Sequence, residues 1–319
     1  MDHLQRSRLN LLTSHMLDRG ALLRLDPAMI AERAADQRAR FIGIHHMRIA
    51  VDPSDPARPA WLTAEEAADR FGHCEPRVYL GQEDQTPYFA LLIDHHLPEP
   101  GEGFSGLRSL AGQVSNSEAT LLGYAQAMAA WHHRYRFCGR CGGATHLDQG
   151  GHVRQCSQVQ CGATHYPRTD PAIIVLVQRA DHALFGRKPE WPPNRYSTIA
   201  GFVEPGESAE QAVVREVEEE TGIDVTAVRY HSSQPWPFPG SLMLGYHAQA
   251  GSERISLNDQ ELEDAIWLSR EALASRIEQG LFVPPPSISI SYRLIEDWFD
   301  DKASFTLHTV CQKNAIEFF

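Results

Sequence analysis

A chain of 319 residues is long enough for about two domains with real cores and no need of disulfide staples. With 41 acidic against 29 basic residues its formal net charge is −12, which argues against a protein whose main task is to coat nucleic acid or an anionic membrane. Its 42 % apolar and 22 % charged residues exclude a wholly disordered, collagen-like or coiled-coil chain. The longest strongly apolar run, Ala172 to Val177, has a strand's length and predicts a protein with no membrane-embedded segment.

The N-terminus, MDHLQRSRLNLLTSHMLDRG, has too short an apolar stretch for a secretory signal, and Asp2 and Asp18 weigh against a transit peptide. The residues up to 130 mix short apolar runs such as RVYLG and YFALLI with loop punctuation such as VDPSDPARP, predicting a small α+β N-terminal domain over 1–130. That domain closes in a connecting helix, because Leu121, Leu122, Ala125, Met128 and Ala129 recur at helical spacing behind Ser115 or Ser117 as N-cap.

Residues 131–168 are rich in Gly, Cys and polar groups, so something other than apolar burial must hold them. Cys138 and Cys141, then Cys156 and Cys161, stand as two pairs with two and four intervening residues. Two such knuckles supply four thiolates to one Zn²⁺, and a closed set of four leaves no position for water, so the expected metal is structural. A redox Cys-x-x-Cys without metal is the alternative, and His146, His152 and His165 lie close enough in sequence to substitute for a ligand. Cys74 and Cys311 stand apart, a distribution unlike a disulfide framework that predicts a reducing, cytoplasmic home.

From 169 to 319 the pattern changes to a separate domain: the β-rich runs AIIVLVQRA and STIAGFV, a helix at 208–221, the strand-like SLMLGYHAQA and a final helix at about 291–300. Ser208 and Gln211 form a capping box, and Gly222 is placed to end the helix. Glu216, Glu219 and Glu220 stand at i, i+3 and i+4 and share one face, while Ala212, Val213 and Val217 point elsewhere and can pack. A Glu-rich helix is by itself most simply a solvated face. Carboxylates that repel at this spacing also suit a hard divalent cation such as Mg²⁺ or Mn²⁺.

The whole stretch decides between the two. Gly201, five residues, Glu207, seven residues, then Arg215-Glu216-Val217-Glu218-Glu219-Glu220-Thr221-Gly222-Ile223 resembles the signature of the Nudix hydrolases at every defined position. The resemblance implies an α/β/α sandwich and hydrolysis of a nucleoside diphosphate linked to another moiety. Two to three Mg²⁺ or Mn²⁺ ions would be held by Glu216, Glu219 and Glu220 while Arg215 orients the glutamates. The resemblance gives Glu219 as a ligand or base and Glu219, Glu220 and Arg215 as the catalytic residues, and leaves open which glutamate is the general base.

Past this helix, SQPWPFPGS braces two aromatics with three prolines, a stiff loop whose rings lose little entropy when a flat ligand stacks on them. With the zinc ribbon upstream and the run His165-Tyr166-Pro167-Arg168 after it, this resembles the NADH pyrophosphatase (NudC-type) branch of the family. The commonest ribbon in that branch has two residues inside each pair, so the four-residue second pair is a departure. By motif, the dinucleotide site would be lined by Tyr166, Ala200, Phe202, Gln234, Pro235, Trp236, Pro237, Phe238, Pro239, Gly240, Ser241 and Ile290 or Ser291. Glu261, six residues before Trp267, is the expected additional metal ligand, with Glu263 and Asp264 as neighbours easily confused with it.

The resemblance implies an NAD(H) pyrophosphatase giving nicotinamide mononucleotide and AMP, also active on NAD-capped RNA, and homodimeric. Two rivals are another Nudix substrate such as ADP-ribose, and a ribbon protein that binds nucleic acid through Arg134, Tyr135, Arg136, Arg140 and Arg154 with an inactive hydrolase domain. Eight acids between Glu204 and Asp224, opposed there by Arg215 alone, turn much of the charge excess into a local site. That site should repel a phosphate substrate until metal neutralises it.

Overall fold

The computed structural model describes residues 1–13, 17–72, 77–93, 103–257 and 261–313; Cys74, His95 and His96 lie outside the described residues. The chain divides into two compact units. One comprises Met1–Thr13, Asp170–Pro235 and Ser241–Phe319, the other Ser14–Thr169 with Trp236–Gly240. The dividing point after Thr169 lies beside the boundary expected at 168. The cysteine segment groups with the N-terminal region, however, and the first thirteen residues group with the C-terminal half.

Helix α1 (His3–Leu9) is started by a capping box between Asp2 and Gln5. It belongs to the C-terminal unit because its far end is tied there by buried polar groups. Asn10, 3 % exposed, donates from Nδ2 to Ser232 Oγ at 3.1 Å and to Ser233 O at 2.9 Å, and Ser233 N donates to Ser7 Oγ at 3.1 Å.

The unit that follows holds α2 (Pro27–Ala35), β1 (Arg40–His45), β2 (Arg48–Asp52), β3 (Asp55–Pro59), α3 (Ala64–Phe71), β4 (Arg77–Glu83), β5 (Thr86–Leu92), β6 (Phe104–Gly106), α4 (Leu107–Ala111) and α5 (Asn116–Arg134). Among the described residues the sheet order is β3-β2-β1-β5-β4 with β6 on β2. Its core stacks Phe41 on Phe89 at 5.1 Å, with Tyr79, Leu91 and Ala67 around them. The connecting helix is α5, and Ser115 is its N-cap, accepting from Glu118 N at 3.2 Å.

The ribbon strands β7 (Thr145–Asp148), β8 (Val153–Cys156) and β9 (Thr164–His165) form a small antiparallel sheet. Two histidines fasten it inside this unit. His132, 2 % exposed on α5, bonds Gly151 O from Nε2 at 2.8 Å and meets Arg154 Nη1 at Nδ1 at 3.0 Å. A carbonyl on one nitrogen and a guanidinium on the other require the neutral Nε2–H tautomer. Burial and the Arg154 charge accordingly push His132 down to about 3. His152 repeats the pattern on Tyr79 O at 2.7 Å, pulled down to about 4 chiefly by burial.

The C-terminal unit contains β10 (Asp170–Arg179), β11 (His182–Arg187), β12 (Ile199–Phe202), α6 (Ala209–Thr221), β13 (Val225–Trp236), β14 (Ser241–Ala250), β15 (Asp264–Ser269), α7 (Arg270–Glu278), α8 (Ile290–Asp300) and α9 (Leu307–Lys313). Among the described residues its sheet runs β13-β14-β10-β11-β15, with β12 antiparallel to β10 and β14 parallel to it. The apolar run of β10 is continuous because both faces are covered. Ile173, Val175 and Val177 pack with Ala212, Val213 and Val217 of α6, whereas Ile174 and Leu176 pack with Leu273, Leu294, Ile295 and Val310 of α7, α8 and α9. This is the expected α/β/α sandwich. The helix expected at 291–300 is α8; α9 follows it and carries Cys311, 0 % exposed, whose thiol burial pushes up to about 11.

The N-terminal strap yields a direct test. Asn10→Ala removes two hydrogen bonds, each worth about 1 kcal/mol, so limited trypsin cleavage after Arg8 should accelerate about thirtyfold while the rest of the unit stays resistant. An unchanged cleavage rate would mean that other contacts hold the strap.

Candidate active site and zinc ribbon

The acidic helix begins where the sequence places it. Ser208 Oγ accepts from Gln211 N at 3.2 Å and Gln211 Oε1 accepts from Ser208 N at 2.8 Å, a complete capping box on α6. Gly222 ends the helix at φ 66, the left-handed conformation that glycine adopts without strain. Between them the helix puts Val213 and Val217 into the core and lays Glu216 against β12 at Gly201.

Arg215 is the hub of those glutamates. Its Nη2 and Nε donate to the two oxygens of Glu207 at 2.7 and 3.1 Å, its Nη1 to Glu216 Oε1 and Glu219 Oε2 at 2.9 Å each, and Nη2 also to Phe202 O at 3.0 Å. A planar fork with five N–H donors serves three carboxylates and a carbonyl at once, which a lysine ammonium cannot do. Arg215 and the Glu204 N–H hold the Glu207 carboxyl below its usual range. Burial pushes Glu216 up, reinforced by the charges of Glu219 and Glu261, against the pull of Arg215.

Gly201 makes room for this arrangement. A Cβ built there would lie 1.9 to 2.2 Å from the Glu216 carboxyl group, so the absence of a side chain on β12 is what lets Glu216 lie across the strand. Glu220 is 1 % exposed and Glu216 half-buried, while Glu219 faces solvent. A carboxylate as deep as Glu220 is costly unless cations stand near it.

The loop before β15 sorts its three acids. Glu263 pairs with Arg187 and Asp264 accepts from Tyr196 Oη at 2.5 Å, whereas Glu261 pairs with Lys188 Nζ at 2.9 Å and lies within electrostatic reach of Glu216. Burial draws the Lys188 ammonium down, but its bond to Glu261 and the charges of Glu220, Glu261 and Glu190 leave it above its usual range. Of the four expected ligands, Glu216 lies in the Gly201 cradle and feels the charges of Glu219 and Glu261, and the hard oxygen donors of Glu216, Glu219, Glu220 and Glu261 are of the kind that suits Mg²⁺ or Mn²⁺.

The residues expected to line a dinucleotide site fall into three groups. Phe202 and Tyr166 expose about 60 % of their surface, at 60 % and 62 %, and Phe202 stands at the end of β12 whose carbonyl Arg215 holds. Gln234, Ile290 and Ser291 are buried at 0 to 1 %. Gln234 donates to Leu11 O at 3.0 Å and Ile288 O at 2.7 Å and accepts from Ile290 N at 2.8 Å. Ser291 Oγ meets Ser197 and Thr198 hydroxyls at 2.9 and 2.8 Å. These three brace the C-terminal unit from within, and Ala200 packs partly against the same core; Pro235 is exposed and Ser241 half-buried.

Pro237, Phe238, Pro239 and Gly240 form the third group, with Trp236, in the other unit. Trp236 and Phe238 meet edge to face at 4.8 Å, the guanidinium of Arg108 lies 4.5 Å from the Phe238 ring centre, and Gln126 donates to Pro237 O at 2.6 Å. The Phe238–Pro239 peptide is cis. The sequence gives Glu207 as a position of the signature without a role of its own, and it does not single out Arg108, Gln126 or Lys188. Glu207 carried a signal in its fixed spacing from Arg215; the others carried none.

In the ribbon the Sγ atoms of Cys138, Cys141, Cys156 and Cys161 all lie within 4.8 Å of one another, with Cys138 to Cys161 at 3.8 Å and Cys141 to Cys156 at 3.5 Å. A tetrahedron with Zn–S bonds of about 2.3 Å has edges of about 3.8 Å, so the four thiolates fit one Zn²⁺ despite the wider second pair. His165 Nε2 approaches Cys138 Sγ at 3.3 Å and Arg140 N donates to it at 3.4 Å, bonds that steady a ligand from outside the metal's shell. His146 meets Ser157 Oγ at 3.2 Å, leaving the cysteines as the complete set.

Two outcomes follow. Gly201→Ala should lower kcat at least a hundredfold with the fold retained by circular dichroism, because the new methyl displaces Glu216; wild-type kcat in that variant would contradict the cradle. Stripping zinc with a strong chelator should release one Zn²⁺ per chain, read by a colorimetric zinc assay, and open residues 137–166 to protease.

Comparison with known families agrees with this geometry. A NUDIX domain profile matches residues 166–285, an NADH pyrophosphatase-like rudimentary NUDIX domain profile residues 38–131, and an NADH pyrophosphatase zinc ribbon profile residues 133–166. The chain is similar to the NAD-capped RNA hydrolase NudC of Stutzerimonas stutzeri, 46 % identical over 59 % of this chain and 67 % of that protein. It is also similar to the human NAD-capped RNA hydrolase NUDT12, 42 % identical over 58 % of this chain but only 43 % of that longer protein. A crystal structure of a NUDIX hydrolase from Nitrosomonas europaea aligns at TM-score 0.43 and 15 % identity, covering 52 % of this chain and 92 % of that one. The Nudix profile over the sandwich, the ribbon profile over the four cysteines and the NudC relative covered along two thirds of its length together show that the chain belongs to the NADH pyrophosphatase (NudC) branch of the Nudix hydrolase family.

Proposed function

We propose that this protein hydrolyses the diphosphate of NADH and NAD⁺ to nicotinamide mononucleotide and AMP, and removes NAD caps from RNA 5′ ends. The observation that carries the reading is the Arg215 clamp on Glu207, Glu216 and Glu219 over the Gly201 cradle, with Glu220 sunk at 1 % exposure beside it. Such a set is not a solvated helix face, since Glu220 is buried and Glu216 half-buried.

Glu216, Glu219, Glu220 and Glu261 would hold two to three Mg²⁺ or Mn²⁺ ions, which neutralise diphosphate oxygens and activate water. The chain's own part is to fix the carboxylates before substrate arrives: Arg215 sets Glu216 and Glu219, and Gly201 leaves Glu216 its path. Glu219, exposed at 53 % of its side chain, is open to water and takes the proton as general base, while Glu220 is too deep to meet water without a partner.

The exposed Phe202 presents an aromatic face on which a base can stack, and we read the SQPWPFPGS motif as setting the preference for a dinucleotide. The NAD-capped RNA substrate named for the relatives shares the scissile bond of free NAD, so the cap carries recognition and affinity for the RNA chain itself stays modest and salt-dependent. Among the described residues no helix is long and apolar enough to cross a membrane. The metal-type thiol cluster supports a cytoplasmic setting, and a homodimer of the 35.7 kDa chain is expected by light scattering.

Turnover of NADH, NAD⁺, ADP-ribose and NAD-capped RNA, each with Mg²⁺ and with Mn²⁺, tests the reading. NADH should exceed ADP-ribose at least tenfold in kcat/KM, and Glu220→Gln and Glu219→Gln should each cost a factor of about 10² or more. Preferred cleavage of ADP-ribose would move the protein to another Nudix specificity, and unchanged NADH hydrolysis in Glu220→Gln would remove the metal site as drawn.

A further inference from the structure

Among the described residues, Arg215 and Lys188 both pair with the acids of this site, and they differ in kind. Arg215 is locked by five hydrogen bonds to three glutamates and Phe202 O, a fork that cannot leave without releasing all of them. Lys188, one residue past β11, pairs with Glu261 at 2.9 Å and feels the charges of Glu220, Glu261 and Glu190. Its neighbour Arg187 is occupied by Glu263, Pro192 O and Trp191 O and is not available for the same task.

Without a cation at Glu261, that carboxylate would be repelled by Glu216, whose charge it senses directly. An ammonium is a compact point charge on a flexible stem, without the directional fork of a guanidinium. It can therefore stand where a metal ion would stand and withdraw when one arrives.

We propose that Lys188 is a resident counter-ion that metal must displace: it neutralises Glu261 in the metal-free enzyme and gives it up to the incoming divalent cation. This rests on the reading of Glu261 as a metal ligand. The side chains of Lys188 and Glu261 are 28 % and 58 % exposed, so the pair is weak and easily exchanged. A strong, buried pair would block loading.

The consequence is a competition that can be measured without substrate. Mn²⁺ is titrated into the full zinc-loaded chain, freed of other divalent ions, with free Mn²⁺ read by electron paramagnetic resonance. Lys188→Met should tighten the weakest Mn²⁺ site two- to fivefold, the range that an exposed ion pair supports. Lys188→Arg, which keeps the charge, should restore the wild-type isotherm. In a Glu261→Gln background, Lys188→Met should change nothing, because the pair it breaks is already gone.

Three results overturn the proposal: unchanged Mn²⁺ binding in Lys188→Met, weaker binding, or a tightening of equal size in the Glu261→Gln background, which would mark a general field effect. NADH turnover on the same samples keeps the two readings apart. A shifted isotherm in a protein inactive on NADH refutes the proposed substrate and leaves the role of Lys188 standing.

Discussion

One guanidinium decides whether this site can exist. Glu216, Glu219 and Glu207 would scatter if each obeyed only the repulsion of the others, and helix propensity has no means of preventing that. Arg215 converts the repulsion into an ordered fan because its donors point in fixed directions, so each carboxylate has a defined place. The Phe202 carbonyl is part of the same fan, which ties the helix to β12 and makes strand and helix a single piece of the site. Gly201 is the other half of this constraint, since the space that Glu216 occupies is the space a side chain would have filled.

Around that hub the sandwich supplies rigidity. Burial on both sides of β10 fixes its register against β12 and β14, because a one-residue slip would exchange the sets packed on α6 and on α8. Gln234 extends the rigidity by linking Leu11, Ile288 and Ile290 through one buried amide. It lies in the aromatic motif but works as a brace. The same division recurs in the ribbon segment, where His132 and Arg154 are used up in fastening while Arg134, Arg136 and Arg140 remain at the surface. Of the five residues that a nucleic-acid-binding ribbon would use, Arg154 is therefore structural.

Much was legible before any coordinates, for identifiable reasons. The four cysteines are read from spacing because a tetrahedral metal demands few geometries, and the extra two residues in the second knuckle did not prevent convergence. The glutamate face is read from helical period, and its caps from local side-chain chemistry that acts within three or four residues. What stayed hidden was everything that pairs over long separations. Lys188 meets Glu261 across 73 positions and Asn10 meets Ser232 across 222, distances over which no local pattern reports.

The sequence by itself therefore determined the chemistry: a thiolate cage, an acidic helix with its arginine, a glycine before it, and an aromatic loop, each encoded by residue type at short range. Only the tertiary structure decided which of those residues face solvent and which are buried as braces, which of Glu261, Glu263 and Asp264 is left near the acidic helix, and with which half of the chain the first thirteen residues travel. The physical reason is that burial and long-range pairing are properties of packed surfaces, and a surface is defined only once distant segments have met.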